Sequence, residues 1–175
     1  MKVMKFGGTS VGSPERMKHV AHLVTKSGEP TFVVLSAMAG TTNSLIEISN
    51  YLYKKNPEGA NEVINLLEAK YFGHVDELYS TDEYKNITRD FLRQEFQYLR
   101  SFTKELFTSF EEKSIVAQGE IISTNMVVNY LKETGINAIL LSAFDFMRTD
   151  KNSEPDSEYI KEKLANVMKQ NEGYQ

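Results

Sequence analysis

Lys5 opens a run with the residue types needed to hold an anion: Lys5-Phe6-Gly7-Gly8-Thr9-Ser10-Val11-Gly12, followed by Ser13-Pro14. Gly7, Gly8 and Gly12 lack a Cβ, so they can take positive φ and let backbone N–H groups come close to a phosphate. Ser13 before Pro14 marks a helix start, whose N-terminus adds partial positive charge to the full charge of Lys5. A backbone cradle beside an ammonium is a recurring arrangement for β- and γ-phosphates. The same glycines also fit an ordinary tight turn. Neither G-x-x-x-x-G-K-[ST] nor G-x-G-x-x-G occurs, so a P-loop and a dinucleotide fingerprint are both excluded.

A second polar stretch is Ser36-Ala37-Met38-Ala39-Gly40-Thr41-Thr42-Asn43. Its hydroxyls could meet a ligand, or Thr41, Thr42 and Asn43 could simply cap the helix that follows. The third candidate is Glu120, which precedes an apolar helical segment and shares a face with Ser123, Thr124, Val127 and Leu131. Near a helix start, a Glu complements the helix dipole; facing a small polar cleft, it is suited to a substrate ammonium. His74 has no second His or paired carboxylate at ligand spacing, which favours packing or surface over chemistry. Arg148 and Asp150 read as loop structure.

The elements that must carry these residues follow from periodicity. Residues 2–6 form a short strand, and a helix over 14–26 has Met17, Val20, Ala21 and Val24 on one face, with Gly28 past its end. Thr31-Phe32-Val33-Val34-Leu35-Ser36 is a continuous apolar run of the kind buried in parallel sheets, giving a βαβ unit. Ligands of open parallel sheets bind outside the carboxyl ends of the strands, so the two polar loops face one cleft. Leu45, Ile48 and Leu52 outline the next helix, and Val63, Leu67, Tyr71, Val75 and Leu78 a long one over 57–79. Ile87, Phe91, Leu92, Phe96, Leu99, Phe102, Leu106 and Phe110 predict a single helix over 83–112 with an aromatic stripe in the core; covering of this helix pair by another subunit is the alternative. The Glu120 helix closes at Gly135, residues 136–142 read as a third strand, and a last helix carries Ile160, Leu164, Val167 and Met168. A strand would come next in an alternating pattern, which predicts an unpaired sheet edge.

The chain has 175 residues, 41% of them apolar and 25% charged, which suits one globular domain with a real core. Twenty basic against twenty-four acidic residues give a net charge of −4 with no long basic block, which disfavours nucleic acid. Zero cysteines exclude disulfides and thiolate metal sites. No apolar run approaches the roughly 18 residues of a membrane span, and no charged-then-apolar leader opens the chain, so no membrane partner and a cytoplasmic location are expected.

Three stretches together resemble the N-terminal part of the aspartokinase family: Lys5-Phe6-Gly7-Gly8-Thr9-Ser10-Val11-Gly12, then Val33-Val34-Leu35-Ser36-Ala37-Met38-Ala39-Gly40-Thr41-Thr42-Asn43, then Gly119-Glu120-Ile121-Ile122-Ser123-Thr124. The first is shared in looser form by other amino-acid kinases; the three in this order are specific. The resemblance implies a three-layer α/β/α sandwich of the carbamate-kinase-like amino-acid-kinase fold, incomplete here, with a mainly parallel sheet and several long helices. It also implies ATP-dependent phosphorylation of the β-carboxylate of L-aspartate, the first step of lysine, threonine and methionine biosynthesis, in a homo-oligomer. By the same resemblance, Lys5 neutralises the transferring phosphoryl group and Phe6, Gly7, Gly8 and Ser10 form the phosphate-facing turn. Ser36 and Thr42 lie around aspartate and Glu120 binds it. Mg2+ is carried by ATP, and no residue is assigned to a metal.

The sequence departs from the family in lacking the Arg-Gly-Gly-Ser-Asp stretch that carries a substrate arginine and a catalytic aspartate. The expectation is a truncated chain, 1–175 being the amino-acid-binding portion without the nucleotide-binding half or the regulatory ACT domains, and inactive by itself. The alternatives are another amino-acid kinase, acting on glutamate or acetylglutamate, and an amino-acid-binding module without turnover.

Overall fold

In the computed structural model, residues 2–104 and 106–174 are described. β1 (Lys2–Phe6) and β2 (Thr31–Leu35) pair in parallel, with Met4 beside Val33 and Phe6 beside Leu35. They are joined by α1 (Pro14–Thr25), whose N-cap Ser13 accepts from the Arg16 N–H at 3.3 Å. Met17, Val20, Ala21 and Val24 are its buried stripe, and Gly28 beyond it sits at φ +63°, where a Cβ would be strained. Met4, Phe6 and Val33 pack on the core, while Val3 and Val34 leave the other sheet face open at 67% and 40% exposure.

α2 (Thr41–Tyr53), α3 (Pro57–Leu78), α4 (Asp82–Ser101) and α5 (Ser109–Glu133) build the helical layer. α3 begins under Asn56, which accepts from the Gly59 N–H at 2.9 Å, and buries Ala60, Ile64, Leu67, Tyr71, Val75 and Leu78 at three- and four-residue spacing. α5 touches α1, α2, α4 and β2, and with α1, which packs on both α3 and β2, it joins the helical layer to the sheet. α6 (Ser157–Gln170) lies against the segment after α5.

Three expectations are corrected. The helix expected over 83–112 is two helices: α4 ends at Ser101, a 3-10 turn covers Phe102–Lys104, and α5 starts anew at Ser109. The cause is a capping box, in which the Thr108 side chain accepts from the Phe110 N–H while the Glu111 carboxylate accepts from the Thr108 N–H at 2.9 Å. Leu92, Phe96, Leu99 and Phe102 are buried as expected of the stripe, whereas Ile87, Leu106 and Phe110 are exposed; Glu105, inside that expected helix, lies outside the described residues. The earlier start of α5 also puts Glu120 in mid-helix, not near a helix start, so helix-dipole complementarity does not explain it.

Residues 136–142 form no strand. The Ala138 N–H donates back to the Ile136 carbonyl at 2.9 Å, and a groove of about 490 Å³ separates Ala138–Ser142 from β2. An apolar extended run becomes a strand only when an edge lies within hydrogen-bonding distance, and here none does.

Candidate active site

Phe6 ends β1, and its carbonyl accepts from the Ser36 N–H at 3.2 Å, which ties the two polar loops together at the carboxyl ends of both strands. Two residues on, the Gly8 carbonyl accepts from the Ala39 N–H at 3.1 Å. A Cβ on Gly8 would stand 2.6 Å from the Ala37 carbonyl oxygen, and one on Gly12 3.1 Å from the Ala39 Cβ. These glycines are therefore required for close approach of backbone to backbone. The positive φ expected of Gly7, Gly8 and Gly12 is not found; the glycines with positive φ are 28, 40, 135 and 173. Within the turn the Ser10 N–H donates to the Gly7 carbonyl at 2.9 Å, and Arg16 Nη1 holds the Thr9 carbonyl at 2.6 Å. Lys5 is exposed and makes no ion pair among the described residues.

The Ser36–Gly40 loop rests on α5. Ser123 Oγ donates to the Ser36 carbonyl at 2.7 Å, and the Ala37 N–H points to Glu120 Oε1 at 3.4 Å. Gly119 permits this contact: a Cβ there would lie 2.7 Å from the Ala37 Cβ, 3.3 Å from Leu45 Cδ1 and 3.4 Å from Thr41 Cγ2. Glu120, half-buried, is among the residues lining the groove beside β2 and presents its carboxylate to the loop at Ala37.

α2 starts at Gly40, which takes φ +82° and supplies no side-chain cap. Capping by Thr41, Thr42 or Asn43 is thus not observed. The first-turn N–H groups keep their partial positive charge without a side-chain acceptor, next to the half-buried Thr42. Thr41 is fully buried and pairs with the Tyr71 hydroxyl at 2.8 Å, a contact between α2 and α3 that spacing alone does not reveal.

The structure thus brings Phe6, Gly8, Ser36 and Glu120 into one contiguous network through Ala37, Ala39 and Ser123, with Thr42 at the start of α2 beside it. Arg148 lies elsewhere: it pairs with Asp156 and stacks on the Tyr159 ring at 4.0 Å. Asp150 accepts from the Asn152 and Glu154 N–H groups at 2.8 and 3.0 Å, closing its own loop. His74 stacks edge-on to Tyr71 at 6.2 Å, with its Nε2 buried and without a partner. Spacing puts Ser123 on the Glu120 face and Ala37 in the polar loop, but no local pattern shows that the Ser123 hydroxyl meets the Ser36 carbonyl or that the Ala37 N–H meets Glu120. Among the described residues no group of three or more His, Asp and Glu side chains could hold a metal ion, and no helix is long and apolar enough to cross a membrane.

Comparison with known proteins gives a consistent set. The model of the amino acid kinase family matches residues 1–174. Aspartokinase 1, chloroplastic, of Arabidopsis thaliana is 34% identical over 159 residues, covering 88% of this chain and 28% of that protein. Lysine-sensitive aspartokinase 3 of Escherichia coli is 27% identical over 169 residues, covering 93% of this chain and 36% of that protein. The crystal structure of E. coli aspartokinase III in complex with aspartate and ADP superposes with a TM-score of 0.85 at 27% identity, over 99% of this chain and 39% of that one. The chain therefore spans roughly a third of the length of the relatives it matches.

Proposed function

The chain belongs to the amino acid kinase family, and on that premise we propose that its amino-acid substrate is L-aspartate, phosphorylated by ATP on the β-carboxylate to open the route to lysine, threonine and methionine. The observation that carries this reading is the seating of Gly119-Glu120 against Ala37 at the end of β2, which sets a carboxylate beside an uncapped helix start. Aspartate has one ammonium and two carboxylates. Glu120 suits the ammonium, while Ser36, Thr42 and the first turn of α2 suit a carboxylate. The relative that binds aspartate and ADP supports the same pair of ligands for this chain.

The attacking carboxylate is already ionised at neutral pH, so no general base is required. The barrier lies in bringing two anions together, and it is lowered by positioning and positive charge. Lys5 and the Phe6, Gly7, Gly8 and Ser10 turn supply that charge at the phosphates, and Mg2+ is proposed to arrive on the ATP oxygens. The hydrogen bonds linking Phe6 to Ser36 and Gly8 to Ala39 hold the phosphate turn and the aspartate loop in fixed register, which is the positioning that phosphoryl transfer needs.

The test is calorimetric titration of the chain with L-aspartate, L-glutamate and N-acetylglutamate. L-aspartate alone is expected to bind, and Glu120→Ala to weaken it at least tenfold with the fold retained. Equal binding of L-glutamate, or unchanged affinity in the variant, would sink the assignment.

A further inference from the structure

Under the aspartate loop lies a pair of buried hydroxyls that the reading above leaves unused. Tyr71 on α3 and Thr41 on α2 are both wholly inaccessible, and their oxygens are 2.8 Å apart. Thr41 is the residue before Thr42, and its methyl fills the space over Gly119, directly before Glu120 on α5. The Tyr71 ring is wedged in turn against Phe96 of α4, with centroids 6.0 Å apart. One phenol therefore reaches from the α3–α4 core to the junction of the two elements that carry Thr42 and Glu120. Burial pushes this phenol up to about 12, opposed by the Thr41 hydrogen bond and reinforced by the Glu120 charge, so it stays neutral throughout the working range.

We propose that Tyr71 is a positioning residue for substrate selection: through Thr41 it holds the first turn of α2 at a fixed separation from Glu120, so that one ligand must satisfy both ends. This rests on the aspartate reading of the site. A ligand gripped at both ends feels a change in that separation, and a ligand gripped at one end does not. L-aspartate carries an ammonium for Glu120 and carboxylates for α2, whereas succinate has the same two carboxylates and no ammonium. Loss of the Tyr71 hydroxyl would leave Thr41 Oγ1 buried without its partner and free α2 to shift.

The experiment is calorimetric titration of the 175-residue chain with L-aspartate and with succinate, for the wild type, Tyr71→Phe, Thr41→Val and Thr41→Ser, with thermal melts alongside. The wild type is expected to prefer L-aspartate. Tyr71→Phe and Thr41→Val should each cut that preference at least fivefold, mainly through L-aspartate, while Thr41→Ser, which keeps the hydroxyl, should retain it. A lowered melting temperature with an unchanged preference in both Tyr71→Phe and Thr41→Val would make the pair a packing contact and overturn the proposal alone. A wild-type chain with no preference for L-aspartate would overturn the site reading and this proposal with it.

Discussion

Gly8 and Gly7 are neighbours with opposite surroundings. A methyl group on Gly8 would meet the Ala37 carbonyl oxygen at 2.6 Å, a backbone atom that cannot swing aside, whereas nothing lies within 4 Å of the same position on Gly7. Gly8→Ala is expected to cost about 1–3 kcal/mol through overpacking, and Gly7→Ala less than about 0.5 kcal/mol. Urea midpoints of the two variants check this; equal shifts would mean that the turn yields, and that the contact does not set the separation of the loops. The glycine turn and the Ser36 to Asn43 loop stand out in the sequence as short runs of unusual composition, and Glu120 as a carboxylate beside an apolar helical segment, so all three are candidates for chemistry. Tyr71 was legible only as one apolar position in a helical stripe. Its hydroxyl finds Thr41 thirty residues away, and no local pattern encodes that meeting.

Among the elements, α3 carries a titratable group that couples folding to pH. Burial, and then the Lys70 charge, hold the His74 imidazole below its usual 6.5, with Glu77 working in the other direction. An unfolded His74 takes up a proton as pH falls through about 6.5, before the folded one does. The unfolded state therefore binds more protons in that window, and the stability contribution is fully present above about pH 6.5 and declines as pH drops toward the folded value. His74→Phe should flatten this part of the decline, read from urea midpoints at pH 7.5 and 5.5; identical slopes in the two proteins would rule the group out. α1 and α3 start and stop close to where their spacing and turn residues put them, and α2 buries the expected Leu45, Ile48 and Leu52. The break between α4 and α5 was also present, as Thr108-Ser109-Phe110-Glu111, but an aromatic stripe with helical spacing runs across it and masks it. A new helix start leaves N–H groups without helical partners, and the capping box lowers that cost by giving the Thr108 and Phe110 N–H groups side-chain acceptors.

For the whole molecule, a two-stranded sheet with a groove along the free edge of β2 bears on turnover. Phosphoryl transfer needs ATP and L-aspartate held together with the developing charge neutralised from several sides; at the glycine turn Arg16 is engaged with the Thr9 carbonyl, which leaves Lys5 to face the phosphates in the proposed reaction. Arg148 is engaged with Asp156 and Tyr159 away from the site. We therefore propose that these 175 residues supply the aspartate-binding side of the reaction proposed above and, assayed by themselves, bind L-aspartate without turning it over. ATP-dependent aspartyl hydroxamate formation is expected to be absent, and turnover at rates typical of kinases, about 1–100 per second, would refute this. From the amino-acid string alone follow the βαβ start, most of the helices, the glycine turn and the candidate carboxylate, since caps, turns and periodicity act over a few neighbouring residues. Packing alone settles the rest: which edge β2 pairs with, that residues 136–142 remain outside the sheet, that Glu120 meets Ala37 across 83 residues of chain, and that Tyr71 lies beneath Thr41. Such contacts depend on how whole helices seat against one another, down to a missing methyl on Gly8 or Gly119, and that is a property of the assembled core.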